Sequence, residues 1–169
     1  MKDVDTFETI MKRRSVRSFS DKPVPAESIK KLLEAARWAP SGSNRQPWRF
    51  IVVRDPKRIK LIKMFSEGLS GNPTLVIAIC AEDMDMYTMM DIGITAENIM
   101  LEAVELGLGT CAIGSFSEEP VKQLLRIPKE LSLVLLMSIG YPDTEPRPRS
   151  RKALEEIAYS EKYGERLTL

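Results

Sequence analysis

Apolar positions recur at helical spacing from residue 4 to residue 14, where Val4, Phe7, Ile10 and Met11 alternate with charged residues ahead of a basic cluster. This pattern predicts a first helix. Pro23 and Pro25 interrupt, and Pro25 opens a second helix with Ile29, Leu32, Leu33, Ala36 and Trp38 on one face. That helix stops at Ala39-Pro40, because the residue before proline is pushed out of helical geometry. Residues 40–47 form a loop by composition, and residues 48–53, rich in aromatic and β-branched side chains, form a strand. A short helix over 56–65 and a loop over 67–73 follow. Residues 74–81 are apolar almost throughout, which predicts a strand covered on both faces and central in its sheet.

The longest helical pattern covers residues 86–106, where Ile92, Ala96, Ile99, Ala103 and Leu106 form a stripe that Met100 and Val104 widen. So broad an apolar surface belongs to a central, mostly buried helix. Met84, Met86, Met89 and Met90 crowd its start and are read as adaptable packing, with a Met-rich pocket entrance as the alternative. Gly107 and Gly109 end the helix, followed by a strand over 110–116, a short helix over 120–126 and a strand over 132–140. Residues 142–148 are too proline-rich for regular structure and run over a surface before a last helix around 153–159. No repeat or long linker divides the 169 residues, so a single domain over 1–169 is expected.

Composition narrows the chemistry. With 43% hydrophobic and 29% charged residues the chain is an ordinary globular one, and a net charge of +1 excludes a wholesale basic surface for nucleic acid. A local basic pocket stays open. The apolar runs fall short of the roughly 20 residues a membrane span needs, and residues 1–14 mix acids with bases. The expectation is a cytoplasmic protein with neither secretory signal nor membrane contact. Cys80 and Cys111 lie far apart, each in an apolar run, as two reduced buried thiols. There is no histidine, which removes Ser-His and Cys-His catalytic pairs and His-ligated metals. Redox or proton chemistry therefore needs another carrier.

Several motifs fail. Residues 107–114 (GLGTCAIG) have the third glycine too late for a dinucleotide fingerprint and follow a helix instead of opening one. No phosphate loop, CxxC or metal-specifying carboxylate pair is present, and Glu82, Asp83 and Asp85 read as a solvated helix approach. Three donor-rich segments carry more weight. Arg13-Arg14-Ser15-Val16-Arg17 offers bidentate guanidinium groups beside a hydroxyl, a natural phosphate site. In residues 40–48 (PSGSNRQPW) small residues let backbone approach a flat ligand, and residues 147–152 (RPRSRK) hold four cations in six positions. Each alone is a capped helix end, a surface turn or a solvated tail. The two arginine clusters become informative if they converge on one dianionic phosphate.

Residues 13–19 (RRSVRSF) followed by residues 39–50 (APSGSNRQPWRF) resemble the signature of the nitroreductase-like family of FMN-dependent oxidoreductases. Residues 107–114 and Arg149-Ser150-Arg151 resemble the later landmarks in the same order, so the similarity covers nearly the whole chain. The resemblance implies an α+β fold, a mixed β-sheet flanked by helices, with a long central interface helix and a C-terminal arm exchanged in a homodimer. It implies FMN at the subunit interface. Arg13 with Arg149 or Arg151 would hold the phosphate with help from Ser15, while Arg14 and Arg17 would lie along the ribityl chain and the pyrimidine edge. Pro40, Ser41, Gly42 and Asn44 would come from the other subunit, and Ile113 and Gly114 would sit by the reactive nitrogen. The implied activity is ping-pong hydride transfer from NADH or NADPH to nitroaromatic or quinone-like acceptors, with no side-chain acid or base required. The stretch between Phe65 and Thr74 is short, leaving little room for the lid that larger members carry. Contacts that relatives make from there do not carry over, and Asn72 is named only as a candidate. A non-catalytic FMN-binding protein, and a structural dimer with unrelated surface charges, are the rival readings.

Overall fold

The computed structural model describes residues 5–168. Its helices are α1 (Thr6–Lys12), α2 (Ala26–Arg37), α3 (Pro56–Met64), α4 (Met86–Glu105) and α5 (Glu118–Leu125), and its strands are β1 (Trp48–Val53), β2 (Leu75–Ala81), β3 (Gly109–Ile113) and β4 (Ser132–Gly140). The strands form one sheet in the order β1-β2-β4-β3, with every ladder antiparallel. The architecture is α+β.

The strand β2 is buried at all seven positions, as the unbroken apolar run requires. Its side chains alternate between two cores. Leu75, Ile77, Ile79 and Ala81 pack with Ile29, Leu32 and Ala36 of α2 and with Ile92, Ala96, Ile99 and Ala103 of α4. Val76, Ala78 and Cys80 face the opposite side, against Ile59 and Ile62 of α3 and Val121 of α5. The sheet is thus sandwiched between two helix layers. Three helices open on an acidic cap: Asp5 accepts from the Phe7 amide, Asp55 from Lys57 and Asp85 from Thr88. At the other end of α4, Gly107 takes a φ of +68°, in the left-handed region that favours glycine.

Several expectations change. The α1 pattern does form a helix, but it is shorter than residues 4–14, and Phe7, Ile10 and Met11 are exposed, Phe7 by 64%. Val4 lies outside the described residues. Trp38 caps α2 and stands 75% exposed instead of joining its buried face. Met84, Met86, Met89 and Met90 are all exposed, so they do not pack into this chain's core. The third strand includes Gly109 and ends at Ile113, short of residue 116. Residues 153–159 form only a 3-10 turn over Leu154–Glu156, because Leu154 and Ile157 find no surface to cover and one turn cannot repay helix nucleation. Among the described residues the mix of strand directions is confined to a single parallel bridge between Ser15 and Thr110.

Candidate functional site

The segment 13–19 runs beside the edge strand β3 and is pinned there by its backbone. The Val16 amide donates to the Thr110 carbonyl at 2.8 Å, and the Ser20 amide to Tyr141 at 3.0 Å. Two side chains act as plugs. Val16 seats on Gly109, where an added Cβ would come within 2.5 Å of its Cγ2, and Phe19 seats on Gly140. Because extended backbone alternates its side chains, burying Val16 turns Ser15 and Arg17 outward. On the far side the Asp143 amide donates to the Ser18 carbonyl at 3.2 Å and brings the proline-rich segment alongside.

The result is a cleft of 570 Å³ between residues 13–18 and residues 144–151. Arg13, Arg14, Ser15, Arg17, Arg149 and Arg151, expected from two separate segments of the sequence, all line it. Arg147, Ser18 and Thr144 join them. Six arginines face one space, and among the described residues only Arg13 pairs with a carboxylate, its Nε lying 3.5 Å from Glu97 on α4. That geometry leaves the terminal nitrogens of Arg13 uncommitted. Arg14 is partly engaged: its Nη1 donates to the carbonyls of Met11 and Arg13 at the end of α1. The cation of Arg17 also reaches Cys111, where it opposes the burial that pushes that thiol up. Burial likewise pushes the Cys80 thiol up to about 11, and both cysteines are free.

The remaining predicted residues do not share this cleft. Ile113 is buried, and Gly114 opens on a separate hollow of 360 Å³ with Phe65, Glu67 and Ser115, nothing lying within 4 Å of where its Cβ would stand. Asn72 lines a third depression, of 830 Å³, between α3 and residues 71–74. Pro40, Ser41, Gly42 and Asn44 stand at the start of α4, where Gly42–Asn44 makes a 3-10 turn. This turn is strained: Ser43, Asn44 and Gln46 have φ of 50°, 55° and 51°, a conformation costing non-glycine residues on the order of 1–3 kcal/mol each. It is held from three sides. Ser41 Oγ accepts from the Gln46 amide at 3.0 Å, Arg45 Nη1 lies 3.4 Å from Asp85, and the Gly42 amide donates to both carboxylate oxygens of Asp91 at 3.2 Å. The Thr88 amide holds the Asp85 carboxyl below its usual range. Sequence reasoning missed Asp91 and Glu97. The signal for Asp91 was an acid set inside the apolar stripe of α4; Glu97 gave none.

Among the described residues no helix is long and apolar enough to cross a membrane, and no group of metal-ligating side chains is present. The nitroreductase family profile matches residues 10–75 and 66–141. An Archaeoglobus fulgidus protein named "Putative NADH dehydrogenase/NAD(P)H nitroreductase" is 36% identical over 153 residues, 83% of this chain and 87% of its own. The Bacillus subtilis "FMN reductase (NADPH)" is 25% identical over 95% of this chain and 75% of its own. The solved structure of an FMN-dependent nitroreductase from Clostridium difficile superposes with a TM-score of 0.83 at 30% identity, over 93% of this chain and 99% of that one. Fold, sequence and matched segments agree: the chain belongs to the nitroreductase family.

Proposed function

We propose that this protein is a homodimeric, FMN-dependent NAD(P)H oxidoreductase that reduces nitroaromatic or quinone-like acceptors by ping-pong hydride transfer. The observation that carries the reading is the convergence of two arginine clusters, far apart in sequence, on one cleft. Six guanidinium groups and the Ser15 hydroxyl suit a dianionic phosphate monoester better than any other common ligand group. The donor set fits FMN. When bound, FMN supplies the capacity to accept and pass on a hydride, chemistry the side chains of this chain lack.

The residues then divide by task. Arg13, Arg149 and Arg151, with Ser15, hold the phosphate, and the Nε contact with Glu97 orients the Arg13 fork toward it. Arg14 and Arg17 line the path of the ribityl chain and the pyrimidine edge, where a fixed cation favours negative charge. Gly114, open above its Cα, and Ile113 beneath it leave room for a flat ring. Pro40, Ser41, Gly42 and Asn44 complete the pocket of the other subunit, which accounts for their absence from this chain's own cleft. Phe7, Ile10 and Met11 on α1 and Met86, Met89, Met90 and Ile94 on α4 are exposed apolar side chains without a partner surface in this chain, which supports a dimer formed through these helices.

The purified protein is therefore expected to be yellow, with an oxidised-flavin absorption spectrum that bleaches anaerobically on adding NADH or NADPH. Reoxidation by a nitroaromatic or a quinone completes the test. Bound flavin that neither nicotinamide reduces would overturn the enzyme in favour of a flavin-binding protein without turnover, and colourless protein that takes up no FMN would overturn both.

A further inference from the structure

Asp91 sits in the second turn of α4 with only 5% of its surface exposed, and among the described residues the Gly42 amide is its hydrogen-bond donor. A buried carboxylate is costly to desolvate and is stable only where a donor meets it. Its neighbours on the same helix face add no donor: Thr88 and Thr95, three and four residues away, are fully buried with hydroxyls that lack a partner. The carboxylate is thus directed at the 40–47 turn. That turn needs holding, because three of its non-glycine residues sit at positive φ within four positions.

We infer that Asp91 is a positioning residue that fixes the 40–47 turn for cofactor binding in the other subunit. The inference rests on the composite-site reading above. One helix then does two things: its exposed Met86, Met89 and Met90 meet the partner, and its buried Asp91 sets the turn offered to the partner's flavin. A defect at Asp91 acts in trans, on the cleft of the other chain, and leaves the arginines of its own chain intact.

This directionality separates positioning from general destabilisation. Asp91→Ala is expected to remain dimeric while its FMN affinity falls by roughly 10- to 100-fold, the range set by a hydrogen bond to a charged group. Asp91→Asn keeps an acceptor for the Gly42 amide and recovers most of that loss. The decisive sample is a purified heterodimer of an Asp91→Ala chain with an Arg149→Ala/Arg151→Ala chain. The Asp91→Ala chain keeps its arginines and receives a normal turn from its partner, so one FMN binds per heterodimer with wild-type affinity, whereas neither parent homodimer binds well. An Asp91→Ala homodimer with wild-type affinity overturns this inference alone, whereas a heterodimer that recovers no site overturns both the inference and the composite-site reading it rests on. Wild-type protein that binds no FMN overturns the reading beneath it as well.

Discussion

Gly109 is the tightest point between the sheet and the arginine segment, and replacing it with alanine tests whether that seam positions the cleft. The new Cβ would stand 2.5 Å from Val16 Cγ2, 2.6 Å from Val16 Cβ and 2.8 Å from Val16 Cγ1. Carbon atoms rest at about 3.5–4.0 Å, so Val16 must retreat by roughly 1 Å. Rotation of its side chain brings no relief, because Val16 Cβ is itself one of the clashing atoms. The backbone has to move, and with it the 2.8 Å bond from the Val16 amide to Thr110. Overpacking costs about 1–3 kcal/mol and the lost hydrogen bond about 1 kcal/mol, giving a destabilisation of roughly 2–4 kcal/mol. At a urea dependence near 2 kcal/mol/M, the unfolding midpoint of Gly109→Ala falls by about 1–2 M. Circular dichroism during urea titration measures it. FMN affinity, followed by flavin fluorescence, falls in parallel, because Arg13, Ser15 and Arg17 ride on the displaced backbone. A midpoint within about 0.3 M of wild type, together with unchanged FMN affinity, would refute the seam as a positioning element.

Two further outcomes follow from the same structure. Replacing Arg149 and Arg151 with alanine weakens FMN binding by at least about tenfold and flattens its dependence on salt, since fewer cations are left to be screened; unchanged affinity in an FMN titration at low and high ionic strength would remove the 144–151 segment from the phosphate site. Burial raises the folded Cys80 thiol to about 11, so the folded chain keeps its proton after the unfolded chain has released it. This contribution to stability is complete below about pH 9 and is lost as pH rises toward 11, by an amount of order 2 kcal/mol. Urea midpoints across that interval, compared with Cys80→Ala, measure it, and a Cys80→Ala profile as steep as wild type would contradict it.

The sheet was readable in advance because its strands carry strong local signals. The ends of β1 and β4 coincide with the run of aromatic and β-branched residues and with the glycine at 140. The face of α2 was legible from Ile29, Leu32 and Ala36, whose spacing answers to one buried stripe. Other parts depend on information that periodicity does not hold. Phe7, Ile10 and Met11 have the spacing of a core face but no sheet to cover, and the start of α4 presents its methionines outward for the same reason. A stripe shows that a helix has an apolar side; what that side meets belongs to tertiary or quaternary structure. The arginine cluster at 13–17 and the tail at 147–151 were each visible, while their meeting depended on hydrogen bonds between Ser18 and Asp143 that no local pattern encodes. Asp91 was hidden for a related reason, since its meaning lies in a single amide 49 residues away.

The alternation along β2 also bears on how the molecule comes apart. Odd-numbered side chains of this strand belong to the core under α2 and α4, and even-numbered ones to the core under α3 and α5. Neither helix layer can leave without stripping one face of a strand whose other face is still held, so the two layers share a common keystone. Melting is thereby made a joint event, and a defect introduced on the α3 side is felt, through this one strand, by the layer that contains α4, whose Glu97 meets Arg13 of the cleft.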